Sequence, residues 1–331
     1  MEKESFSRTL KHGAATLALL GAVSSPAQAS YSQVFFFGDS LSDTGNLYTS
    51  YGFTFPVSPP YYNGMFSNGP LWTATLAGYL GNSAIPSLWG GTNFAWAGAT
   101  VIDYGRPQPE VPQQLGQYFA TVGGVADPKA LYVIFGGNND INDASKDPAT
   151  APTNIVLAAH AVDSMVDSLY AAGARNILVS NLPDIGKTPL AISKGPAAVA
   201  GATALTNLFN STLGSLLDSD AAADPGLNLD RLDVHALLDS AYANPAAYGF
   251  TNVTDPCKAG GGDDLGLPGA VCATPDSYLF WDVFHPSSAA HNLIAEAAMR
   301  AVPEPAPWSL IVVALLGMLA AAPCSSRTNR G

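Results

Sequence analysis

Gln33-Val34-Phe35-Phe36-Phe37-Gly38-Asp39-Ser40-Leu41-Ser42-Asp43-Thr44-Gly45-Asn46 is the stretch on which the reading of the fold turns. Residues 34–37 are β-branched or aromatic with no polar alternation, and they stop at a Gly-Asp-Ser turn. A strand without alternation is buried on both faces, as in parallel sheets. The same pattern returns at residues 130–135 (ALYVIF), which stop at Gly136-Gly137, and at 176–180 (NILVS). A fourth run is expected at 232–237. Longer segments with helical spacing lie between these runs. Residues 151–172 carry Val156, Ala159, Met165 and Leu169 on one side and Asp163 and Asp167 on the other, with Gly173 placed to end the helix. Helices are also expected at 70–80, 112–122, 196–218 and 287–301. Buried strands separated by helices predict an α/β fold, a three-layer α/β/α sandwich around a parallel sheet. No repeat and no internal break in composition interrupts residues 30–301, so they read as a single domain.

Composition narrows the function. Of the 331 residues, 47% are hydrophobic and 12% charged, ample material for a core and the opposite of a disordered chain. Net charge is −12, and between residues 30 and 304 nine Lys and Arg face 24 Asp and Glu. A surface that acidic, with no basic cluster, repels phosphate backbones and excludes nucleic acid as a partner.

Both ends read as addresses. Lys3, Arg8 and Lys11 precede an apolar run from Gly13 to Val23, and Ala27-Gln28-Ala29 supplies a small-residue cleavage site before Ser30, so residues 1–29 are expected to be a signal peptide. Residues 308–322 are almost wholly apolar and are followed by Arg327 and Arg330; the run is short for a full membrane span. Val302-Pro303-Glu304-Pro305 stands directly before it. That tripartite arrangement over 302–331 resembles the PEP-CTERM sorting signal. The resemblance implies transient membrane retention through the C-terminal helix, processing by signal peptidase and an exosortase-type enzyme, and release to the cell surface or extracellular matrix. A plain C-terminal anchor is the simpler alternative. With Cys324 in the tail, Cys257 and Cys272 are the pair left in the exported part, and an oxidising compartment favours a disulfide between them. A loop of that size contributes on the order of 3 kcal/mol when unstrained.

In parallel sheets ligands bind at the carboxyl ends of strands. Two such ends run into polar, glycine-containing turns, 38–40 and 136–140. Ser40 follows a buried strand directly, but a serine attacks only when a base takes its proton and a partner orients the base. His12 belongs to the leader, His160 lies mid-helix, His235 falls in the expected fourth strand and His291 in the last helix. His285 remains, in Asp282-Val283-Phe284-His285-Pro286, with Asp282 close enough for a tight turn to bring its carboxylate to the imidazole. No CxxC or HExxH occurs, so no metal is expected, and Asp263-Asp264 after three glycines lacks the spacing of a calcium loop.

These blocks resemble the GDSL lipases and esterases, also called SGNH hydrolases. Gly38-Asp39-Ser40-Leu41 with Ser42–Asn46 is similar to the first block, and Phe66-Ser67-Asn68-Gly69-Pro70-Leu71-Trp72 to the FSNGPVW segment. Asn93-Phe94-Ala95-Trp96-Ala97-Gly98-Ala99, Gly137-Asn138-Asn139-Asp140 and Asp282-Val283-Phe284-His285-Pro286 follow in order, as does the 181–189 segment (NLPDIGKTP). Ala97 departs from the glycine common there, while Gly98 is kept. No GxSxG occurs, which excludes the α/β-hydrolase elbow. The resemblance implies a flavodoxin-like sheet and catalysis by Ser40 as nucleophile, His285 as base and Asp282 as its orienting partner. It further implies an oxyanion hole from the N–H of Ser40, the N–H of Gly98 and the Asn139 amide, with no cofactor. The substrate implied is a carboxylic ester, an acyl lipid or an acylated sugar. A carbohydrate O-deacetylase uses the same machinery, and a non-catalytic matrix protein keeping the fold is the rival from another class. Taken singly, each residue has a plainer role: Ser40 as a helix cap, Asn139 as a turn residue, Gly98 as packing, His285 at the surface. Five blocks in the right order carry the reading. Asp39 and Asp43 are expected to hold the Ser40 turn. The aromatic stretch 48–66, with Tyr61 and Tyr62, either lines an acyl pocket or is a connection packed on the body. On the pocket reading, replacing Tyr61 and Tyr62 by Ala weakens long-chain turnover more than acetate turnover.

Overall fold

Four strands pair in parallel, register after register: β1 (Val34–Gly38), β2 (Leu131–Phe135), β3 (Asn176–Ser180) and β4 (Asn228–Leu232), in the order β1-β2-β3-β4. The computed structural model describes residues 31–302. The expected leader over 1–29 and the sorting segment beyond residue 302, with Cys324, lie outside the described residues. All residues of β1 and β2 are buried, as their unbroken apolar runs require.

A further segment lies along the free edge of β1. Phe36 N donates to Thr92 O (3.1 Å), Phe94 N to Phe36 O (2.8 Å) and Trp96 N to Gly38 O (3.1 Å). Counting residues 92–96, the spatial order becomes the flavodoxin-like 2-1-3-4-5, whose chain reversal opens a crevice beside the carboxyl end of the first strand. That crevice is where Ser40 stands.

Helices complete the three layers: α1 (Trp72–Tyr79), α2 (Val111–Val122), α3 (Asn138–Ala144), α4 (Ala151–Ala171), α5 (Pro196–Ala223), α6 (Val234–Ala243) and α7 (Ser288–Ala301). Helices α4 and α5 pack on each other, with α2 against α4, while α7 packs on α1 and α6. Buried Phe35, Phe37, Phe94, Tyr118 and Tyr132 stack between β1, β2 and α2. Among the described residues, no helix is long and apolar enough to cross a membrane.

The fourth strand is not at 232–237. It ends at Leu232, and Asp233 caps α6 instead, its side chain accepting from Ala236 N at 2.9 Å. The cap competes with strand extension, so His235 sits in the first turn of a helix and not in a strand. As the last strand of the ladder, β4 leaves Asn228 and Arg231 exposed and Asp230 partly exposed, and it carries no apolar run to read.

His291 on α7 is completely buried with neither ring nitrogen hydrogen-bonded. Burial, with repulsion from His285, pulls its imidazole down to about 3. An unfolded histidine titrates near 6.5, so between those values the unfolded chain binds a proton that the folded one refuses, and stability falls as pH drops. The slope is about 1.4 kcal/mol per pH unit below 6.5. Replacing His291 with Leu removes that slope. Urea denaturation at pH 7 and pH 5 is expected to show the variant losing less than the wild type; equal losses would place the acid sensitivity elsewhere.

Candidate active site

Ser40 follows β1 in the turn that its sequence dictates. Gly38 ends the strand where any Cβ would stand 2.2 Å from Phe135 O, so only glycine lets β1 and β2 close at this end. The buried Gln114 side chain pairs with both backbone groups of Gly38, accepting from its N and donating to its O at 2.9 Å each. Asp39 accepts from Leu41 N (3.0 Å) through one oxygen and from Asn138 Nδ2 (2.9 Å) through the other, tying this turn to the start of α3. Asp43 accepts from Gly45 N, Asn46 N, Leu47 N and Ala97 N at 2.6–3.0 Å. Burial pushes both carboxyls above the usual range, against the pull of these donors.

The segment carrying Gly98 is held from two sides. Asp43 takes Ala97 N, and Asp140 accepts from Val101 N and Ile102 N at 2.8–3.1 Å. Burial lifts the Asp140 carboxyl to about 7 despite those bonds. Gly98 has φ +82, a left-handed conformation that favours glycine, while the nearest obstacle to a Cβ there is the movable end of the Gln108 side chain.

From the far end of the chain come Asp282 and His285, just beyond the short strand Tyr278–Phe280. His285 Nε2 lies 2.9 Å from Ser40 Oγ, and its Nδ1 lies 3.0 and 2.9 Å from the two Asp282 oxygens. Asp282 Oδ1 also accepts from Phe284 N (2.8 Å) and His285 N (2.7 Å). Burial raises the Asp282 carboxyl, but the His285 imidazole and these donors outweigh it and leave the group below the usual carboxylate range.

All five predicted site residues therefore converge. Ser40, Gly98, Asn139 and His285 line one cleft of about 210 Å³, and Asp282 is buried behind the imidazole. Asn139 Nδ2 spends one hydrogen on Ala99 O (2.8 Å), which fixes the amide and leaves its second hydrogen free. Ser40 N and Gly98 N make no hydrogen bond among the described residues. The arrangement can accept a proton from the serine and offer three neutral donors to one developing negative charge. Among the described residues, no cluster of three His, Cys, Asp or Glu side chains is arranged to hold a metal.

Of the two readings left open for the aromatic stretch 48–66, the pocket reading does not hold for Tyr61 and Tyr62 themselves. Tyr61 is fully buried and its hydroxyl donates to Asp282 Oδ2 at 2.8 Å, while accepting from Gly266 N at 3.0 Å. Tyr62 points to solvent. Tyr51, Phe55 and Phe66 line the cleft instead. Tyr61 turns inward because Phe66 and Trp281 pack against its ring, at 5.5 and 6.1 Å between centroids. Cys257 and Cys272 form a disulfide whose loop carries Gly266 and the cleft residue Leu265. Tyr61→Phe strips a donor from Asp282 and an acceptor from Gly266, both buried. A loss of about 1–3 kcal/mol in urea denaturation is expected; an unchanged midpoint would show that solvent replaces both bonds.

Ser40, His285 and Asp282 thus form a buried hydroxyl–imidazole–carboxylate line at the carboxyl edge of a three-layer parallel sheet, an arrangement that serine hydrolases use. The chain belongs to the GDSL-like Lipase/Acylhydrolase family, which it matches over residues 34–298. It is 29% identical to Lipase 1 of Photorhabdus luminescens, over 83% of this chain and 50% of that protein. A GDSL esterase/lipase of Arabidopsis thaliana is 28% identical, over 81% of this chain and 86% of its own length. Among solved structures, the acetylxylan esterase Axe2 of Geobacillus stearothermophilus is similar with a TM-score of 0.45 and 15% identity, over 83% of this chain and 95% of that one. The chain spans about half the length of the first bacterial relatives it matches, 50% and 54%.

Proposed function

We propose that this chain is an exported serine esterase or lipase that hydrolyses carboxylic esters through an acyl-enzyme on Ser40. The observation that carries the reading is the unbroken line Ser40 Oγ–His285 Nε2, His285 Nδ1–Asp282, with bonds of 2.9–3.0 Å, facing unpaired donors. Ser40 Oγ attacks the carbonyl carbon as His285 Nε2 takes its proton. Asp282 holds the imidazole with Nδ1 protonated and stabilises the imidazolium. The N–H groups of Ser40 and Gly98 and the Asn139 amide receive the oxyanion. Collapse of the tetrahedral species breaks the ester C–O bond, and His285 returns the proton to the departing alcohol. Water then repeats the sequence on the acyl-enzyme, releasing the acid and restoring Ser40. Export rests on the leader and sorting sequences, with signal peptidase and an exosortase-type enzyme as the processing partners, and the disulfide agrees with an oxidising destination.

Incubation with a fluorophosphonate probe tests the chemistry. Labelling of the wild type that vanishes in Ser40→Ala is expected, together with turnover of p-nitrophenyl acetate. A folded wild type that neither labels nor turns over the ester would overturn the reading.

A further inference from the structure

Asp282 is held by two routes that start from one loop. Residues 257–272 are closed into that loop by the Cys257–Cys272 disulfide. At its base Cys257 N donates to Phe280 O at 3.1 Å and Lys258 N to Trp281 O at 2.7 Å, which fixes the backbone immediately before Asp282. At its tip Gly266 grips the 57–61 segment with both backbone groups. Its O accepts from Val57 N at 2.8 Å, and its N donates to Tyr61 Oη at 3.0 Å. Tyr61 Oη then donates to Asp282 Oδ2 at 2.8 Å. The contacts close a ring, from the loop base through Asp282 and Tyr61 back to the loop tip.

That ring gives the tyrosine hydroxyl a single role. A phenol carries one hydrogen, and because Gly266 N–H already approaches its oxygen as a donor, the hydrogen goes to the carboxylate. Burial, with repulsion from the Asp282 charge, raises the phenol far above its usual range, so it remains a donor. Lys258 backs the ring from the same loop: it is buried, its Nζ lies 5.6 Å from the ring centre, and it donates to Ala259 O (3.2 Å) and Asp264 O (3.3 Å). The two oxygens of Asp282 are unequally held. Oδ1 has two backbone N–H groups, whereas Oδ2, besides the imidazole, has Tyr61 alone among the described residues. The turn of the carboxylate about its own axis is therefore fixed from one side by Tyr61.

Resting on the esterase reading above, we propose that Tyr61 is a positioning residue for the reaction and that the disulfide-closed loop sets it. Its hydroxyl fixes the plane of the Asp282 carboxylate, and through it the direction in which His285 Nε2 faces Ser40. A donated hydrogen also draws on the carboxylate's charge. Removing it leaves more charge to hold a proton on the imidazole, so the base is lost at a higher pH. The other charged or titratable groups around the pair are Asp39 after β1, His291 on α7, and Arg106 and Tyr51 on the cleft wall. Beside Tyr61 stand Lys258 and Asp264 from the loop. A substitution at Tyr61 leaves all of them in place, so a displaced pH profile reports the lost donor.

Tyr61→Phe is expected to lower kcat for p-nitrophenyl acetate about tenfold, with KM nearly unchanged, per active site titrated to completion with the fluorophosphonate probe. The acid limb of its kcat/KM profile is expected to move to higher pH by about 0.5–1 unit. A merely structural tyrosine would reduce the number of reactive sites and leave the profile of the remaining ones where it was. Placing 3-fluorotyrosine at residue 61, a stronger donor of nearly the same shape, is expected to move the limb to lower pH, and it decides the question if Tyr61→Phe does not fold. Cys257→Ser combined with Cys272→Ser is expected to reproduce part of both effects in the wild type and to add little to them in Tyr61→Phe. An unchanged kcat and acid limb in Tyr61→Phe, or in its absence an unmoved limb with 3-fluorotyrosine, overturns the positioning role. Losses that simply add overturn the part of the loop. A wild type that neither labels nor turns over the ester overturns the esterase reading instead. The low-field NMR resonance of the His285 Nδ1 proton then decides the role of Tyr61 without catalysis: it is expected to move in Tyr61→Phe, and an unmoved resonance overturns the proposal.

Discussion

Asp282→Asn is expected to lower kcat by about four orders of magnitude while leaving the fold intact. The carboxylate receives His285 Nδ1–H, the hydroxyl of Tyr61 and two backbone N–H groups. An asparagine oxygen still accepts from Phe284 N and His285 N, so the 282–285 turn survives. Its amide nitrogen then faces Nδ1 and donates to it. The imidazole is forced to carry its proton on Nε2, where it points at Ser40 Oγ as a donor and cannot act as a base. Steady-state turnover of p-nitrophenyl acetate measures the loss, and circular dichroism checks the fold. A fall of less than tenfold would show that the tautomer is fixed by something other than Asp282.

Asn139→Ala is the second large effect, a fall in kcat of about 10²–10³ with KM nearly unchanged. The amide's bond to Ala99 O holds it in place before any substrate arrives, so its remaining hydrogen is organised for the oxyanion at no cost in the reaction step. Alanine removes that donor and strands the Ala99 carbonyl. Asn139→Asp is expected to be worse still, since its charge would meet the negative oxygen, and aspartates 39 and 140 are already buried nearby. A change of less than threefold in the alanine variant would assign oxyanion stabilisation to the Ser40 and Gly98 N–H groups alone.

The reacting groups were legible because each sits in a local pattern with its own turn chemistry: Gly-Asp-Ser after an apolar strand, Gly-Asn-Asn-Asp after another, and Asp-x-x-His before a proline. Three strands were legible for the same reason, as apolar runs. The fourth was not, because a half-exposed ladder-end strand presents no such run and a capping Asp233 ends it. Pairing of residues 92–96 with β1 was hidden too, since that ladder is made of backbone bonds that no side-chain pattern announces. Tyr61 escaped for a different reason. It meets Asp282 across 221 residues of chain, and an aromatic residue in a proline-rich stretch looks alike whether it lines a pocket or braces a carboxylate. Gln114 left one usable clue, a polar side chain on the buried face of an amphipathic helix.

The hydroxyl and imidazole that meet at 2.9 Å are separated by 245 residues. A chain leaving the ribosome therefore carries Ser40 long before it carries the group that can activate it. On the proposed reading, a partly folded chain holds the nucleophile without its base, and hydrolytic competence waits until the 282–285 turn closes against the end of β1, wherever folding takes place.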